Sequence, residues 1–169
     1  MRRVIPWVIT SVRIISLPVL IQCFTHEVNN LGILLFLVAS SSDFFDGYIA
    51  RKLDVTSQLG SYVDVIVDFL FISGIFTVLI QQRLYSLWLL ALIVLVFIQF
   101  MVTNVCVNKL IYDPIGRWYG SFLYCGLGLS LMFPEPLVYD LVTIGIVGAT
   151  VASLLSRTVF FSGHRTSIR

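Results

Sequence analysis

The amino-acid sequence predicts an all-α integral membrane protein, a bundle of six transmembrane helices with both termini in the cytoplasm. Of its 169 residues, 58% are hydrophobic and only 12% are charged, whereas an average soluble domain carries about a quarter charged residues. This length suits about six spans of some 20 residues with short loops. We therefore expect residues 1–169 to form a single membrane domain. The net charge of +2 is too small to indicate a nucleic-acid partner.

Six apolar segments account for most of the chain. They are Pro6 to Phe24, Leu31 to Ala50, Gly60 to Ile80, Leu87 to Val107, Gly116 to Phe133 and Leu137 to Phe161. The first contains Arg13, and the second and third carry acids where they approach their shared loop. The fourth is the most apolar, as expected of a lipid-facing helix. Turn residues such as Asp113-Pro114 and Pro134-Glu135-Pro136 separate the later segments.

Two further features of the apolar segments concern helix packing and the membrane interface. The fifth begins with Gly116-x3-Gly120, a spacing of small residues that permits close helix contact, either within one chain or between two chains. Aromatic residues stand near predicted helix ends, where they can anchor a helix at the membrane interface. These are Trp7, Trp88, Trp118 and Tyr119.

The distribution of basic residues supports six spans. With a cytoplasmic N-terminus, ten of the eleven basic residues fall on the cytoplasmic side or near that end of a helix, as the positive-inside rule requires. Only Arg83 lies outside. The ten are Arg2, Arg3, Arg13, Arg51, Lys52, Lys109, Arg117, Arg157, Arg165 and Arg169. The sequence thus predicts a protein of the cytoplasmic membrane with loops 51–59 and 108–116 facing the cytoplasm.

Four acids at the loop between the second and third segments are the most informative feature. They belong to the pattern D-x2-D-G-x2-A-R-x8-G-x3-D-x3-D, which runs from Asp43 to Asp68. A carboxylate costs roughly 2.5 to 3.5 kcal/mol at the centre of a membrane helix, so such a cluster indicates a cation or a reaction. Steps of three and four residues place Asp43 and Asp46 on one helix face, and Asp64 and Asp68 on another. A short connecting loop makes the two helices antiparallel neighbours, and we expect the two acid pairs to face each other.

The residue types around the acids indicate a metal-dependent phosphate site. Hard cations such as Mg²⁺ and Mn²⁺ prefer carboxylate oxygens and often complete their coordination with substrate phosphates. Small residues at Gly47, Ala50 and Gly60 would allow a ligand to approach the backbone closely. The pattern therefore predicts a site for a phosphate-bearing substrate that opens to the cytoplasm at membrane depth.

This pattern resembles the signature of the CDP-alcohol phosphatidyltransferase family at every fixed position. The resemblance implies transfer of a phosphatidyl-type group from a CDP-linked lipid to a hydroxyl acceptor, with release of CMP. It also implies that Asp43, Asp46 and Asp64 hold two metal ions, Mg²⁺ or Mn²⁺, on the diphosphate. Asp68 corresponds to the base that takes the acceptor's proton, and it can also contact a metal. The nucleotide-binding part of the signature matches Gly47, Ala50, Arg51 and Gly60.

The first and later segments contain further candidates. Thr10-x-x-Arg13 is similar to an element often found in the family's first helix. Arg13 would then line the nucleotide pocket; alternatively it extends toward the lipid headgroups. Thr10 would also bind the nucleotide, or its hydroxyl could bond to the backbone of its own helix. If the acceptor is phosphorylated, Lys109, Arg117 and Arg157 are candidates to bind its phosphate, although positive-inside topology also explains them. A homodimer is a further expectation from the resemblance.

The residues that follow the third and fourth acids bear on the choice of acceptor. Bacterial family members that use glycerol phosphate usually carry a proline after the third acid and a lysine after the fourth, whereas this chain has Val65 and Phe69. The Phe-Gly and Ala-Pro element of serine-using members is also missing from Phe69 to Gly74. Glycerol 3-phosphate is slightly favoured, with inositol phosphate, inositol or serine as alternatives. Outside the family, an intramembrane prenyltransferase would need a second acid motif, and a small ion transporter would need broken or repeated helices.

Overall fold

The described residues of the computed structural model are helical, with short turns and no strand. They comprise residues 5–26, 28, 30–41, 58–107 and 116–165, with side chains described over 13–26, 28, 30–41, 60, 62–104, 116 and 118–158. The helices are α1 (Ile5–Thr25), α2 (Asn30–Ser41), α3 (Gln58–Gln81), α4 (Leu87–Val107), α5 (Gly116–Met132) and α6 (Pro136–Arg165). The predicted all-α fold is confirmed for this part of the chain.

Within the described residues, three helices are long and apolar enough to cross a membrane. The candidate spans are Tyr62–Gln81, Leu87–Asn104 and Pro136–Thr158. About 39% of the α3 span is buried inside the protein, compared with 22% of the α4 span. The α4 helix therefore presents most of its apolar surface outward, in agreement with its predicted lipid-facing role. The count of six spans and the side of the termini stay predictions.

The chain divides into two compact units, Met1–Arg83 and Leu84–Arg169. In the first unit, α1 and α3 run parallel, because Arg13, Leu17 and Phe24 meet successively later positions of α3 and the turn that follows it. A Cβ on Gly74 would lie 2.9 Å from Leu17 Cδ1, so the missing side chain lets these helices approach closely. At the far end, Gln82 Nε2 donates a hydrogen bond of 2.8 Å to the Phe24 carbonyl oxygen.

The α2 helix packs beside α3 in the first unit and starts where α1 ends. The rings of Phe36 and Phe71 are stacked with centroids 6.2 Å apart, and the Phe24 ring lies against Gly32. These aromatic side chains belong to a core of fully buried apolar residues. This core holds α1, α2 and α3 beside one another, and α1 and α3 carry predicted site residues. Its members include Leu20, Phe24, Phe36, Phe71, Ile75 and Phe76.

In the second unit, α6 packs against both α4 and α5. The α5 and α6 helices are antiparallel: the Tyr119 hydroxyl bonds to the Thr150 hydroxyl at 2.9 Å, and Phe122 lies against Gly145. The α4 and α6 helices are parallel, since Tyr85 contacts Tyr139 at their starts and Thr103 contacts Arg157 near their ends. Burial raises the pKa of the Tyr85 hydroxyl.

Two expectations about α5 are changed by this packing. Tyr119 is buried between helices instead of standing at a membrane interface; Trp118 beside it is 68% exposed, as an interface anchor should be. A Cβ on Gly120 would meet nothing within 4 Å in the described part of the chain. Close helix contact within the second unit occurs instead at Gly126 and Gly145, where an added Cβ would lie 3.1 Å or less from a neighbouring side chain.

Candidate active site

The first half of α3 carries two of the four signature acids. Asp64 and Asp68 are one helical turn apart and therefore share a face, with Gly60 one turn earlier. The Asp64 side chain is 52% exposed and the Asp68 side chain 30% exposed. The face is thus accessible from outside the packed helices at Asp64 and becomes more enclosed at Asp68.

A guanidinium from α1 meets this acidic face. Arg13 Nη1 donates a hydrogen bond to Asp68 Oδ1, and the same nitrogen lies 3.9 Å from Asp64 Oδ1. The contact follows from the parallel packing of α1 and α3, which brings together residues 55 positions apart in the chain. The Arg13 side chain is only 3% exposed. Two orientations were predicted for Arg13, one that lines the nucleotide pocket and one that extends toward the headgroups. In the structure the side chain is directed at the acids and enclosed by the helices, so it does not extend toward the headgroups.

The electrostatics of the group favour an additional cation. One guanidinium faces two carboxylates, so negative charge is left in excess within this set of three side chains. Carboxylate oxygens are hard ligands of the kind that Mg²⁺ and Mn²⁺ prefer, and Asp64 is open enough to offer one to an ion and its waters. The described residues contain no set of three or more His, Cys, Asp or Glu side chains placed to hold a metal. The metal-binding role of Asp64 and Asp68 stays a prediction.

Several predicted site residues lie outside the described part of the chain. These are Asp43, Asp46, Gly47, Ala50, Arg51 and Lys109. Thr10 is in α1, one turn before Arg13, and Arg117 is in α5, but the side chains of both are outside the described set. The convergence of Asp43 and Asp46 on Asp64 and Asp68 accordingly remains a prediction.

Arg157, predicted as a phosphate-binding candidate, is held against α4 within the second unit. Its Nε donates to Thr103 Oγ1 at 2.6 Å, and its Nη2 donates to the Phe100 carbonyl oxygen at 3.2 Å. The guanidinium carbon also lies 4.7 Å from the centroid of the Phe100 ring. The side chain is 3% exposed, so this cation is positioned inside the packed helices and does not simply extend into solvent.

The sequence interpretation missed the partners of Arg157. Gln99, Thr103 and Asn104 interrupt the otherwise apolar α4, and Gln99 and Thr103 are one turn apart. Polar residues in a membrane helix usually face other helices or a cavity, so this interruption was a usable signal. Periodicity alone could not have paired Thr103 with Arg157, because 54 residues separate them.

Comparisons with known proteins agree with the signature. The family model described as "CDP-alcohol phosphatidyltransferase" matches residues 3–160. A "CDP-diacylglycerol--glycerol-3-phosphate 3-phosphatidyltransferase" of Rickettsia felis is 41% identical over 83 residues, which are 46% of this chain and 45% of that protein. The protein of the same name from Bacillus subtilis is 37% identical over 73 residues, covering 43% of this chain and 37% of that protein.

A third relative extends the similarity over nearly the whole chain. The protein of the same name from Wigglesworthia glossinidia brevipalpis is 26% identical over 168 residues, which are 92% of this chain and 90% of that protein. The matches to the Rickettsia and Bacillus proteins, by contrast, span less than half of those proteins. Because the family model covers almost every residue from the first helix to the last, the chain belongs to the CDP-alcohol phosphatidyltransferase family.

Proposed function

We propose that this protein transfers a phosphatidyl group from a CDP-linked lipid to the hydroxyl of glycerol 3-phosphate and releases CMP. The observation that carries the proposal is the arrangement of Asp64, Asp68 and Arg13, in which two signature acids share one open face and a buried cation contacts both. Family membership supports the reaction class. The names of the relatives support the acceptor.

Asp68 acts as the base in this proposal. Its carboxylate accepts the proton of the acceptor hydroxyl while that oxygen forms a bond to the phosphorus of the donor. The bond between this phosphorus and the oxygen of CMP breaks, and CMP leaves with the electron pair. Arg13 fixes the Asp68 carboxylate through its hydrogen bond. Asp68 is also the less exposed of the two acids, which suits a proton acceptor at the inner end of the site.

The donor's diphosphate and nucleotide are bound by the rest of the signature. Asp43, Asp46, Asp64 and Asp68 would hold two Mg²⁺ or Mn²⁺ ions. Such ions, when bound, neutralise charge that develops on the transferred and leaving oxygens. Gly47, Ala50, Arg51 and Gly60 would bind the nucleotide together with Thr10 and Arg13. Membrane lipid surrounds the bundle and solvates the donor's tails, and the site opens to the cytoplasm.

Glycerol 3-phosphate is proposed as the acceptor although Val65 and Phe69 depart from the usual bacterial pattern. Arg157, Arg117 and Lys109 would bind its phosphate; the Arg157 guanidinium is buried and hydrogen-bonded to α4. A planar guanidinium can donate two parallel hydrogen bonds to a phosphate. Inositol phosphate, which also carries a phosphate group, is the second candidate acceptor. The protein is proposed to work as a homodimer.

The proposal is tested by CMP release from the purified full chain. The protein is incubated with CDP-diacylglycerol, Mg²⁺ or Mn²⁺, and one acceptor from a panel of glycerol 3-phosphate, inositol 1-phosphate, inositol and serine. We expect release with glycerol 3-phosphate, loss of release with EDTA, and recovery when the metal is restored. Asp68→Asn should lower the rate by about 100-fold or more, because it removes the base.

The exposed acid Asp140 in α6 supplies the matched control. Asp140→Asn makes the same chemical change outside the signature and should leave the rate unchanged. Acceptor-dependent release at the wild-type rate by Asp68→Asn would remove the proposed base. Release only with another acceptor would replace glycerol 3-phosphate, and no release with any acceptor would favour the alternative of ion transport.

A further inference from the structure

We propose that Arg13 prevents the acidic face of α3, formed by Asp64 and Asp68, from binding a divalent ion tightly by itself, so that ion binding depends on the lipid donor. The inference rests on the proposed function, in which these acids help to hold Mg²⁺ or Mn²⁺ on the donor's diphosphate. It gives Arg13 a regulatory role in addition to its proposed contact with the nucleotide. All three side chains belong to one compact unit, Met1–Arg83.

One nitrogen of Arg13 is close to both acids. Arg13 Nη1 donates a hydrogen bond to Asp68 Oδ1 and lies 3.9 Å from Asp64 Oδ1. The two acids are one turn apart on α3, so the end of a single guanidinium reaches both carboxylates. Any cation that binds an oxygen of either acid therefore has this positive charge as a neighbour.

Burial separates the role of Arg13 from that of the acids. The Arg13 side chain is 3% exposed, whereas Asp64 is 52% exposed and Asp68 is 30% exposed. An ion from solution can therefore reach the carboxylates, while the guanidinium is enclosed by the helices. Salt and water screen exposed charges strongly and enclosed charges much less. The positive charge of Arg13 thus acts on the acidic face under all ordinary solution conditions.

The sum of charges explains the dependence on the donor. The two carboxylates and the guanidinium carry a net charge of about −1, so a divalent ion overcompensates this set of three side chains. The diphosphate of a CDP-linked lipid brings two negative charges and oxygen ligands for the same ion. The ion and the donor then strengthen each other's binding, and linkage makes this effect reciprocal. Without Arg13, the ion alone would neutralise the two acids.

A supporting role for Arg13 predicts the opposite effect on ion binding. If the guanidinium served only to orient Asp68 as an ion ligand, its removal would weaken the binding of Mn²⁺. If its charge opposes the ion, its removal strengthens this binding. The sign of the change therefore separates the two roles, and it can be measured without enzymatic turnover.

The test measures Mn²⁺ binding to the purified full chain in detergent by electron paramagnetic resonance of the free ion. Titrations are made with and without CDP-glycerol, which carries the diphosphate but no fatty acyl chain. For the wild type we expect CDP-glycerol to lower the Kd for Mn²⁺ by about tenfold or more. Arg13→Gln should lower the Kd for Mn²⁺ alone by about tenfold. CDP-glycerol should then change the Kd of this variant by less than about threefold.

Two further variants serve as controls. Arg83→Gln removes an exposed charge in the turn after α3, about 20 Å along the helix from Asp68 and beyond the screening length of about 8 Å, and should bind Mn²⁺ like the wild type. Arg13→Lys keeps the positive charge and should also resemble the wild type. This variant decides the question if Arg13→Gln does not fold in detergent, because a change in its Kd of more than about threefold would refute a role based on charge.

The remaining outcomes separate the inference from the proposed function. Unchanged or weaker binding of Mn²⁺ alone by folded Arg13→Gln would overturn the inference, and metal-dependent CMP release by the wild type would leave the proposed function intact. If the wild type bound no Mn²⁺ even with CDP-glycerol and released CMP without a metal, the proposed metal role of the acids would be refuted, and the inference with it.

Discussion

At the scale of single residues, Arg13 shows why a buried charge in an apolar helix indicates function. Its side chain is 3% exposed and contacts two acids of α3. Burial of an unpaired guanidinium would be costly, and the contact with Asp68 offsets that cost. The same contact holds the carboxylate in one place, so stability and the geometry of the site are linked through this pair.

Removal of the Arg13 charge should therefore destabilise the protein. Arg13→Gln leaves Asp68 without its cationic partner, and a hydrogen bond to a charged group is typically worth about 1.5 to 3 kcal/mol. We expect a lower apparent melting temperature in detergent and a lower rate of CMP release. Because Arg83 is exposed in the turn after α3, Arg83→Gln makes the same chemical change without a buried partner and should melt like the wild type.

A double-mutant cycle separates the pair from other effects of the substitution. Combined with Asp68→Asn, Arg13→Gln should cost less than the two single changes added together, with a coupling of about 0.5 to 3 kcal/mol. Additive effects would show that Arg13 stabilises the protein through other contacts. The sequence could name Arg13 as a site residue, yet the choice of Asp68 as partner depends on helix packing that local patterns do not encode.

At the scale of helices, the start of α2 depends on the absence of a side chain at Gly32. A Cβ added there would lie 2.7, 2.9 and 3.1 Å from three atoms of the Phe24 ring. Real Cβ atoms essentially never approach other atoms to less than 3.0 Å, and Phe24 is fully enclosed at 3% exposure. A Cβ at position 32 would therefore force the Phe24 ring or the start of α2 to shift within a packed environment.

Gly32→Ala should consequently destabilise the first unit. Overpacking in a well-packed core typically costs about 1 to 3 kcal/mol, which we expect as a lower apparent melting temperature of the detergent-solubilised protein. Gly148 in α6 gives the comparison, since a Cβ there would meet nothing within 4 Å and alanine is the better helix former. Gly148→Ala should melt at or above the wild-type temperature. Equal stability of Gly32→Ala and the wild type would mean that the Phe24 ring can shift freely.

Helix positions were predictable because polar turn residues separate the apolar runs. The predicted fourth helix, Leu87 to Val107, has the observed bounds, and the predicted first helix differs from Ile5–Thr25 by one residue at each end. The partner against which each helix face packs was harder to predict. Tyr119 was interpreted as an interface anchor, but its hydroxyl pairs with Thr150, and no pattern within α5 identifies a partner 31 residues away.

At the scale of the whole molecule, length separates the three candidate spans from α2 and α5 within the described residues. The apolar core of a membrane is about 30 Å thick and a helix rises about 1.5 Å per residue, so about 20 residues are needed. The described part of α2, Asn30–Ser41, is shorter than this, and α5 has 17 residues. The predicted second span continues to Ala50, and its residues after Ser41 lie outside the described set. The six-span prediction therefore needs a separate experimental test.

Reporter fusions test that prediction in cells. Six spans place both termini in the cytoplasm, because ten of the eleven basic residues then lie on the side that the positive-inside rule favours. A fluorescent protein fused after Arg169 should fluoresce, and alkaline phosphatase at the same position should be inactive, since it matures only outside the cytoplasm. Truncation after Gln82, in the turn that follows α3, should reverse both results, because three spans lead the chain to the outer side. Active phosphatase after Arg169, together with a cytoplasmic N-terminal tag, would require an odd number of spans and refute the six-span bundle.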